Sequence, residues 1–406
     1  MQSKSLSFQN PAGQRLAARL DLPADGRPLA YALFAHCFTC SKNLKAAANV
    51  CRSLAGAGFA VLRFDFTGLG ESGGDFADTN FSSNVADLLA AAQRLAADYQ
   101  APRLLVGHSL GGAAVLQAAA RIPSALAVAT IGAPAEPSHV LRLLHSHREA
   151  IERDGEAEVE LAGRTFRIKK QFLDDLAGQR MDEVLKNLNR ALLIFHAPLD
   201  DTVGIDNAGR LFQAARHPKS FVSLDRADHL LTREEDSRYV GEVLAAWAGR
   251  YIPLSREAPR QAEEGNRVVV RTEQGGFRSE VMVRGHALVA DEPVSVPGGT
   301  DAGPTPYDLL VAGLGACTTM TVHMYAQRKG WPLEAATARL SHQKIHADDC
   351  TGCETRQGYI DHIDRELELT GPLDAEQRRK LLEIAEKCPV HRTLHAEVVV
   401  NTRLKE

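Results

Sequence analysis

Residues 103–120 read RLLVGHSLGGAAVLQAAA, and this stretch decides the fold of the first part of the chain. A short apolar run is followed by a turn with glycines at positions 107 and 111, and then by an alanine-rich helical run. The glycines permit a sharp turn that lifts the hydroxyl of Ser109 out of the sheet, beside the amides of the next helix. The stretch therefore predicts Ser109 as a nucleophile. An ordinary N-cap serine in a glycine-rich turn is the alternative.

A serine hydroxyl needs a base, and the base needs an acid that orients it. In a fold built on this strand–turn–helix, the chain order is serine, acid, histidine. Asp200 follows the apolar run ALLIFH, and His229 follows SFVSL, so both stand in loops after predicted strands. We predict Asp200 as the acid and His229 as the base, with Asp201 and Asp228 as local alternatives for the acid.

The oxyanion formed during acyl transfer needs two backbone N–H donors. The residue after the nucleophile, Leu110, is expected to supply one of them. The loop after the apolar run AYALFA is expected to supply the other. That loop begins HCFT (36–39), and Phe38 is the predicted donor.

Short apolar runs alternate with helical patterns over about the first 250 residues, which predicts βαβ units and a parallel sheet. The predicted strands are Ala30–Ala35, Phe59–Asp65, Arg103–Gly107, Leu126–Ile131, Ala191–His196 and Ser220–Leu224. The segment Pro134–Asn189 breaks the alternation with a helix, a hairpin and a helix. We expect an insertion at this place to cap the strand ends.

With these residues assigned, the first part of the chain resembles the α/β-hydrolase family. The matching stretches are HCFT (36–39), DFTGLGESGG (65–74) and GHSLGG (107–112), followed by the acid and the histidine. Cys37 stands where the family usually has glycine, which puts a thiol near the site. The resemblance implies an α/β-hydrolase fold with a small cap, and a catalytic triad acting on an ester-like bond. It leaves the substrate open.

The composition changes after Trp247. Residues 255–266, SREAPRQAEEGN, are polar and lack periodicity, so they are predicted as a linker between domains of residues 1–254 and 267–406. The second part contains predicted strands at Val268–Thr272 and Ser279–Val283, a long helix from Tyr307, further strands, a helix at Asp374–Cys388 and a final strand at Ala396–Asn401. This order indicates an α+β fold.

Two cysteines of the second part stand in settings that suit thiol chemistry. Cys317 lies in a small-residue run of the long helix, and Cys388 precedes Pro389 at the predicted N-cap of a short helix. Free amides at that position stabilise a thiolate, and Arg392 could add positive charge. A thiolate attacks a peroxide oxygen, and the resulting sulfenic acid needs a second thiol to form a disulfide. Spacing alone leaves open that both cysteines are buried small apolar residues.

The stretches PTPYDLLVAGLGACTTMTV (304–322) and KCPVHRTL (387–394) resemble the OsmC/Ohr family of thiol-dependent peroxidases. The resemblance covers about residues 267–404. It implies Cys317 as the peroxidatic thiol and Cys388 as the resolving thiol. It also implies an α+β domain with active sites at an intertwined homodimer interface, and an external dithiol as reductant without a resident cofactor.

The peroxidase members of that family carry a glutamate ten residues before the first cysteine, paired with an arginine from the early strands. Here that position is Tyr307, and Asp308 beside it is an auxiliary candidate. The candidates for the arginine are Arg271, Arg278 and Arg284.

Cys350 and Cys353 form a C-x-x-C pair, with His342 and His346 upstream. This spacing offers four potential zinc ligands, and C-x-x-C is also a redox spacing. Acidic neighbours disfavour a thiolate. We favour an unreactive loop, then an auxiliary disulfide, over a metal site. We therefore predict no bound metal.

The composition excludes several classes of function. With 47 Lys+Arg against 51 Asp+Glu and a net charge of -4, the chain has no basic excess for nucleic-acid binding. Seven cysteines in 406 residues are too few for a disulfide-stapled scaffold. The N-terminus shows no signal-peptide pattern, and the apolar stretch Leu309–Val322 is shorter than the ~20 residues of a membrane span. We expect a cytoplasmic protein with mostly reduced thiols, in which that stretch is a buried core helix.

The leading hypothesis is a bifunctional enzyme, a serine hydrolase with esterase-like activity fused to an OsmC-like hydroperoxide reductase. Its substrates would be small esters and hydroperoxides, and its assembly a homodimer or a higher even-numbered oligomer. Two alternatives stay open. The second domain serves only for dimerisation, or the redox domain is the enzyme and the hydrolase fold is vestigial.

Overall fold

An eight-stranded sheet organises the first part of the chain in the computed structural model, which describes residues 2–161, 163–253, 268–284, 286–347 and 357–404. In chain order the strands are β1 (Gln2–Gln9), β2 (Arg15–Leu22), β3 (Ala30–Ala35), β4 (Phe59–Phe64), β5 (Leu104–His108), β6 (Ala127–Ile131), β9 (Ala191–His196) and β10 (Lys219–Ser223). Their order across the sheet is β1-β2-β4-β3-β5-β6-β9-β10. Each of the six predicted strands is present, with ends within one residue of the prediction.

The sheet is parallel as predicted except at one side, where it is antiparallel. Strand β1 pairs antiparallel with β2, and β2 pairs antiparallel with β4, whereas the other neighbours are parallel. Strands β1 and β2 are not among the predicted strands. Strand β1, QSKSLSFQ, is largely polar and exposed, so it lacks the continuous apolar run of a strand covered on both faces.

Helices cover both faces of this sheet, so the architecture is three layers deep. They are α1 (Lys45–Gly56), α2 (Phe81–Asp98), α3 (Leu110–Ala119), α7 (Asp206–Ala214) and α8 (Glu234–Tyr251). Alternate residues along the central strands β3, β4, β5, β6 and β9 enter two separate apolar clusters, because successive strand side chains point to opposite faces. Leu33 and Leu105 pack with α2 and α3, whereas Phe34 and Val106 pack with α1 and α8.

The insertion predicted as a cap is present. It contains a 3₁₀ helix (Pro137–His147), α4 (Arg148–Asp154), the hairpin β7 (Glu156–Leu161) and β8 (Arg164–Lys169), α5 (Lys170–Gly178) and α6 (Met181–Lys186). Aromatic rings attach the cap to the sheet unit. Phe166 lies 4.9 Å from Phe76, and Phe172 lies 5.1 Å from Phe38, between ring centroids.

Contacts divide the chain into two compact units, Met1–Arg271 with Glu280–Leu288, and Thr272–Ser279 with Val289–Glu406. The predicted linker 255–266 lies outside the described residues. Strands β11 (Val268–Thr272), β12 (Ser279–Val283) and β13 (His286–Ala290) form a small sheet with β12 in the middle. The remaining elements are helix α9 (Pro306–Lys329), the antiparallel pair β14 (Ala335–His346) and β15 (Tyr359–Thr370), and helices α10 (Ala375–Ala385) and α11 (Pro389–Leu394).

Helix α9 is longer and less buried than the sequence analysis expected. Thr305 and Asp308 form a reciprocal capping box at its start, and Gly330, at φ 64°, ends it. By length and composition α9 could cross a membrane, with a mean hydropathy of 1.3, and 28% of that window is buried. Met320 and Met324 are 64% and 67% exposed. The expectation of a buried core helix is therefore wrong for this face.

The predicted final strand Ala396–Asn401 is also wrong. Within the described residues this segment pairs with no other strand, and Val399 and Val400 are 73% and 80% exposed. Alternating or β-branched side chains favour an extended backbone, but a strand requires a hydrogen-bonded neighbour. The sequence pattern predicts an extended backbone, but it does not predict a hydrogen-bonded neighbouring strand.

The turn at the end of β5 leaves no room for a side chain on Gly107. A Cβ there would lie 2.2 Å from the backbone oxygen of Gly111. We expect Gly107→Ala to destabilise the fold by about 1–3 kcal/mol, the usual cost of overpacking a core. The matched control is Gly209→Ala at an exposed position of α7, where a Cβ meets nothing within 4 Å. Alanine at 209 should be neutral or stabilise by up to about 1 kcal/mol. Urea unfolding of the two variants measures this, and equal midpoints would contradict it.

Candidate active sites

Ser109 lies in a strained turn between β5 and α3. Its backbone has φ 55° and ψ -126°, a left-handed conformation that L-residues rarely adopt. Its amide donates to the carbonyl oxygen of Ile131 at 2.8 Å, which fixes the turn to strand β6. The glycine at 111 is needed as well, because a Cβ there would lie 2.4 Å from the carbonyl oxygen of His36. The loop after β3 therefore runs directly against the first turn of α3.

His229 bridges the predicted acid and the predicted nucleophile. Its Nδ1 lies 2.7 Å from Asp200 Oδ2, and its Nε2 lies 3.0 Å from Ser109 Oγ. The local alternatives for the acid point elsewhere. Asp201 accepts a hydrogen bond from the Thr202 hydroxyl, and Asp228 is bound by the amide and hydroxyl of Thr232.

Asp200 is held as a carboxylate by donors on both of its oxygens. The amides of Thr202 and Val203 donate to Oδ1 at 3.0 and 2.8 Å, while His229 binds Oδ2. Burial opposes ionisation, but the hydrogen bonds of His229 and of the two amides outweigh it and lower the pKa of Asp200. A charged Asp200 orients His229 with Nδ1 protonated, which leaves Nε2 free to accept the serine proton.

Two buried histidines hold the loops that carry the base and the acid. His108 Nε2 donates to the carbonyl oxygen of His229 at 2.7 Å, and His196 Nε2 donates to the carbonyl oxygen of Val203 at 2.6 Å. Burial lowers the pKa of both, that of His108 to about 4, so both are neutral near pH 7. Gly132, which the sequence did not point to, also packs against Asp200 and His229. A Cβ there would lie 3.3 Å from both Asp200 Oδ2 and His229 Nδ1.

The two predicted oxyanion donors have free amides. Within the described part of the chain, no acceptor is bound by the N–H of Phe38 or that of Leu110. The Phe38 ring is buried against Phe76 and Phe172, with centroids 5.3 and 5.1 Å away. This packing fixes the side chain of Phe38 between the sheet unit and the cap.

The loop that contains Phe38 also carries a disulfide. Cys37 and Cys40 are bonded, with their Cα atoms 5.3 Å apart. The expectation of mostly reduced thiols is therefore wrong for this pair. A spacing of three residues places the two sulfurs across one turn, and the Cys40 amide donates to the Cys37 carbonyl oxygen at 3.2 Å.

The second unit brings Cys317 and Cys388 together at the first turn of α11. The Val390 amide donates to Cys317 Sγ at 3.5 Å, and the His391 amide donates to Cys388 Sγ at 3.4 Å. Cys388 is the N-cap of α11, as predicted. Cys317 is half-buried and Cys388 is fully buried.

Arg365 on β15 is the basic residue beside these thiols, and the sequence analysis missed it. It donates to Thr318 Oγ1 at 2.9 Å, and Thr318 contacts Cys388 Sγ at 3.5 Å. Burial opposes the thiolate, but hydrogen bonds and the charge of Arg365 outweigh it and lower the pKa of Cys388. Glu386 pairs with Arg365 at 2.9 Å. Position 365 lies outside both sequence motifs, so only the pairing of β14 with β15 reveals it.

Several auxiliary candidates have other partners. Asp308 accepts from the amide and hydroxyl of Thr305, both at 2.8 Å, so it caps α9. Tyr307 stacks on His342 at 4.2 Å, and His342 binds Asp361 at 3.0 Å. The side chain of Arg392 is exposed, so the expected positive charge comes from Arg365 instead. The arginine that the resemblance places in the early strands stays a prediction, with Arg271, Arg278 and Arg284 as its candidates.

Cys350 and Cys353 lie outside the described residues. No group of three or more potential metal ligands occurs in the parts of the chain that the structure describes.

Two family models match the chain. The one described as "Alpha/beta hydrolase family" matches residues 32–332, well over half of the chain, and "OsmC-like protein" matches residues 299–403. The matches overlap across α9. A rat (Rattus norvegicus) protein, "Palmitoyl-protein thioesterase ABHD10, mitochondrial", is 33% identical over 105 residues, 26% of this chain and 33% of that protein. The chain thus spans about a third of the length of that curated relative.

Solved structures agree with the first match. The esterase domain of a Rhodothermus marinus protein is 59% identical with a TM-score of 0.53, covering 62% of this chain and 99% of that one. Est1E from Butyrivibrio proteoclasticus, with ferulic acid bound, is 20% identical with a TM-score of 0.51, covering 61% and 98%. Mouse α/β hydrolase domain-containing protein 10 is 20% identical with a TM-score of 0.51, covering 61% and 99%. The chain belongs to the α/β hydrolase family and carries an OsmC-like domain after its hydrolase domain.

Proposed function

We propose that the hydrolase domain cleaves carboxylic esters with Ser109 as the nucleophile. The observation that carries this proposal is the position of His229, within hydrogen-bond distance of both Asp200 and Ser109. The 59% identity to an esterase domain supports an ester as the substrate. The rat relative's name, a palmitoyl-protein thioesterase, supports an acyl group on an oxygen or sulfur leaving group.

The reaction follows from this geometry in two halves. Ser109 Oγ attacks the acyl carbon while His229 Nε2 takes its proton. The oxyanion accepts hydrogen bonds from the amides of Phe38 and Leu110. The bond to the leaving group then breaks as His229 returns the proton to the leaving atom. Water attacks the acyl-serine with His229 again as base, and the carboxylic acid and free Ser109 are released.

A second activity is proposed for the OsmC-like domain, the reduction of hydroperoxides. The observation that favours it is the shared position of Cys317 and Cys388 on the first amides of α11. The Cys317 thiolate attacks a peroxide oxygen, which releases an alcohol and leaves a sulfenic acid. Cys388 attacks that sulfur, water leaves, and a disulfide forms. An external dithiol then reduces the disulfide.

We also propose that a second copy of the chain covers the exposed face of α9. Met320 and Met324 on α9 are 64% and 67% exposed, and Val399 and Val400 are also exposed. Exposed large apolar side chains on one long helix are typical of an interaction surface. A homodimer would bury this exposed face of α9.

Replacing the nucleophile tests the hydrolase proposal. We expect Ser109→Ala to lower kcat for p-nitrophenyl esters by at least about 10⁴-fold and to abolish labelling by a fluorophosphonate. Ser5→Ala, on exposed strand β1, is the matched control and should retain both. Failure of the wild-type protein to label would exclude a serine hydrolase and leave the vestigial alternative.

Replacing Cys317 separates the peroxidase from a purely dimerising domain. We expect Cys317→Ser to lose dithiol-driven consumption of an organic hydroperoxide, because serine does not form the attacking thiolate at neutral pH. Labelling of Ser109 in the same preparation shows that the hydrolase domain remains folded. An unchanged rate of hydroperoxide consumption would favour the dimerisation alternative.

Removing the charge beside Cys388 tests the role of Arg365. We expect Arg365→Leu to raise the pKa of Cys388, because an opposite charge nearby favours the thiolate. A pH titration of thiolate absorbance in a Cys317→Ser background measures it. Arg339→Leu is the control, since Arg339 forms an exposed pair with Glu368 on the same hairpin. Equal titration curves for the two variants would show that Arg365 has no such role.

A further inference from the structure

The disulfide of the hydrolase domain encloses a residue of the proposed oxyanion hole. Cys37 and Cys40 are bonded across the sequence Cys37-Phe38-Thr39-Cys40, in the loop that follows β3. Phe38 is the predicted donor, and its amide has no acceptor in the described part of the chain. A change in this bond therefore acts on the peptide segment that stabilises the transition state.

The two ends of this loop are held differently. At the Cys37 end, His36 Nδ1 donates to the Cys37 carbonyl oxygen at 2.7 Å, and the Phe38 ring packs in an aromatic cluster. At the Cys40 end, one backbone hydrogen bond of 3.2 Å and the disulfide join Cys40 to Cys37. Arg164 of the cap donates to the Thr39 carbonyl oxygen at 3.4 Å, near the limit of a hydrogen bond. The disulfide is thus the strongest connection across the turn.

Cys40 is also the accessible member of the pair. Cys37 is 5% exposed, whereas Cys40 is half-buried. A reductant in solution therefore reaches Cys40 first, and Cys37 becomes the leaving thiolate.

We propose that Cys37 and Cys40 form a reversible thiol–disulfide couple that sets the oxyanion hole, with the disulfide as the fast form of the hydrolase. This inference rests on the proposed role of Ser109. A thiolate of a small dithiol attacks Cys40 Sγ, and Cys37 leaves as a thiolate that takes up a proton. The second thiol of the reductant then displaces Cys40, so that two cysteines and the oxidised reductant result. A hydroperoxide reverses the change. It oxidises one thiol to a sulfenic acid and is released as an alcohol, and the other thiol then attacks the sulfenic sulfur, so that water leaves and the disulfide forms.

Reduction of the disulfide should lower kcat, because the loop supplies the Phe38 amide to the oxyanion hole. Oxyanion donors bind the charge that develops in the transition state, so a displaced donor lowers kcat more than it changes KM. Complete loss of one donor costs about 10²–10³-fold in kcat. Reduction loosens the turn without removing the Phe38 amide, and the aromatic cluster stays in place. We therefore expect a loss of about tenfold, a part of that range.

The same class of reductant connects this pair with the second proposed activity. A dithiol is the electron donor expected for Cys317 and Cys388, and hydroperoxide turnover consumes it. Depletion of the dithiol would leave Cys37 and Cys40 oxidised, and the hydrolase in its fast form, while hydroperoxides are present.

The experiment compares the two redox states of the full-length protein. Wild type is equilibrated with reduced or oxidised dithiothreitol, without hydroperoxide, and kcat and KM are measured with p-nitrophenyl acetate. Alkylation followed by peptide mass spectrometry reads the state of Cys37 and Cys40. We expect kcat to fall about tenfold on reduction, KM to change by less than about twofold, and reoxidation to restore kcat.

Two variants identify the cysteines responsible. Cys37→Ser with Cys40→Ser should show the low kcat under both conditions. Cys51→Ala is the matched control and should respond as wild type does. Cys51 is fully buried in the core, and burial raises the pKa of its thiol far above the ordinary value, so it does not exchange.

Three results would overturn the inference. The first is an equal kcat in the reduced and oxidised proteins, once alkylation shows that their Cys37 and Cys40 differ in redox state. The second is a disulfide that dithiothreitol does not reduce in the folded protein. The third is a change of kcat in the Cys37→Ser with Cys40→Ser variant as large as in wild type. The wild-type comparison decides the matter even if that variant folds poorly. A protein that hydrolyses esters equally in both states would refute the redox couple alone. A protein that no fluorophosphonate labels in either state would refute the proposed function as well.

Discussion

The close approach of backbone segments around Ser109 is the constraint on which the hydrolase site depends. Glycines at 107 and 111 let the start of α3 lie against both β5 and the loop after β3, where any Cβ would collide with a carbonyl oxygen. At Gly132 a Cβ would lie 3.3 Å from the side chains of both Asp200 and His229, so this glycine lets the acid and the base pack closely against the backbone. The left-handed conformation of Ser109 persists because these contacts, and its hydrogen bond to Ile131, determine the turn from several sides.

Burial and hydrogen bonding then determine which groups around His229 are charged. His108 and His196 are enclosed and neutral, so they act as hydrogen-bond donors to backbone carbonyl oxygens and add no positive charge beside His229. Asp200 is also buried, but three donors keep it ionised. The result is one carboxylate facing one imidazole, which favours the tautomer that accepts a proton from Ser109. Neutral histidines around a single charge are therefore a requirement of the mechanism as much as of the packing.

The sequence predicted those features whose determinants lie close together in the chain. The turn at Ser109, the cap hairpin and the N-cap role of Cys388 each depend on a few consecutive residues, and the structure has each of them. The position after a strand indicates the loop of Asp200, but only the hydrogen bond with His229 distinguishes Asp200 from Asp201 and Asp228. Arg365 was not predicted, because its place beside Cys388 depends on the pairing of β14 with β15, which no local motif encodes. The strand expected at Ala396–Asn401 failed for the same reason, since pairing is not a local property.

The cysteines show why a residue type and its spacing do not determine its chemistry. Cys51 lies among apolar side chains, and burial with the nearby charge of Asp21 raises the pKa of its thiol. Cys388 is equally buried, yet its pKa is lowered, because Thr318 and the His391 amide contact its sulfur and the positive charge of Arg365 lies nearby. Cys37 and Cys40 differ from both, since a single turn brings their sulfurs into a bond beside the oxyanion loop. Burial disfavours the thiolate at both positions, and at Cys388 the polar groups around the sulfur outweigh it. This contrast supports the proposed role of Cys388 in closing a disulfide in the OsmC-like domain, and the proposal that the Cys37–Cys40 bond is the redox group of the hydrolase domain.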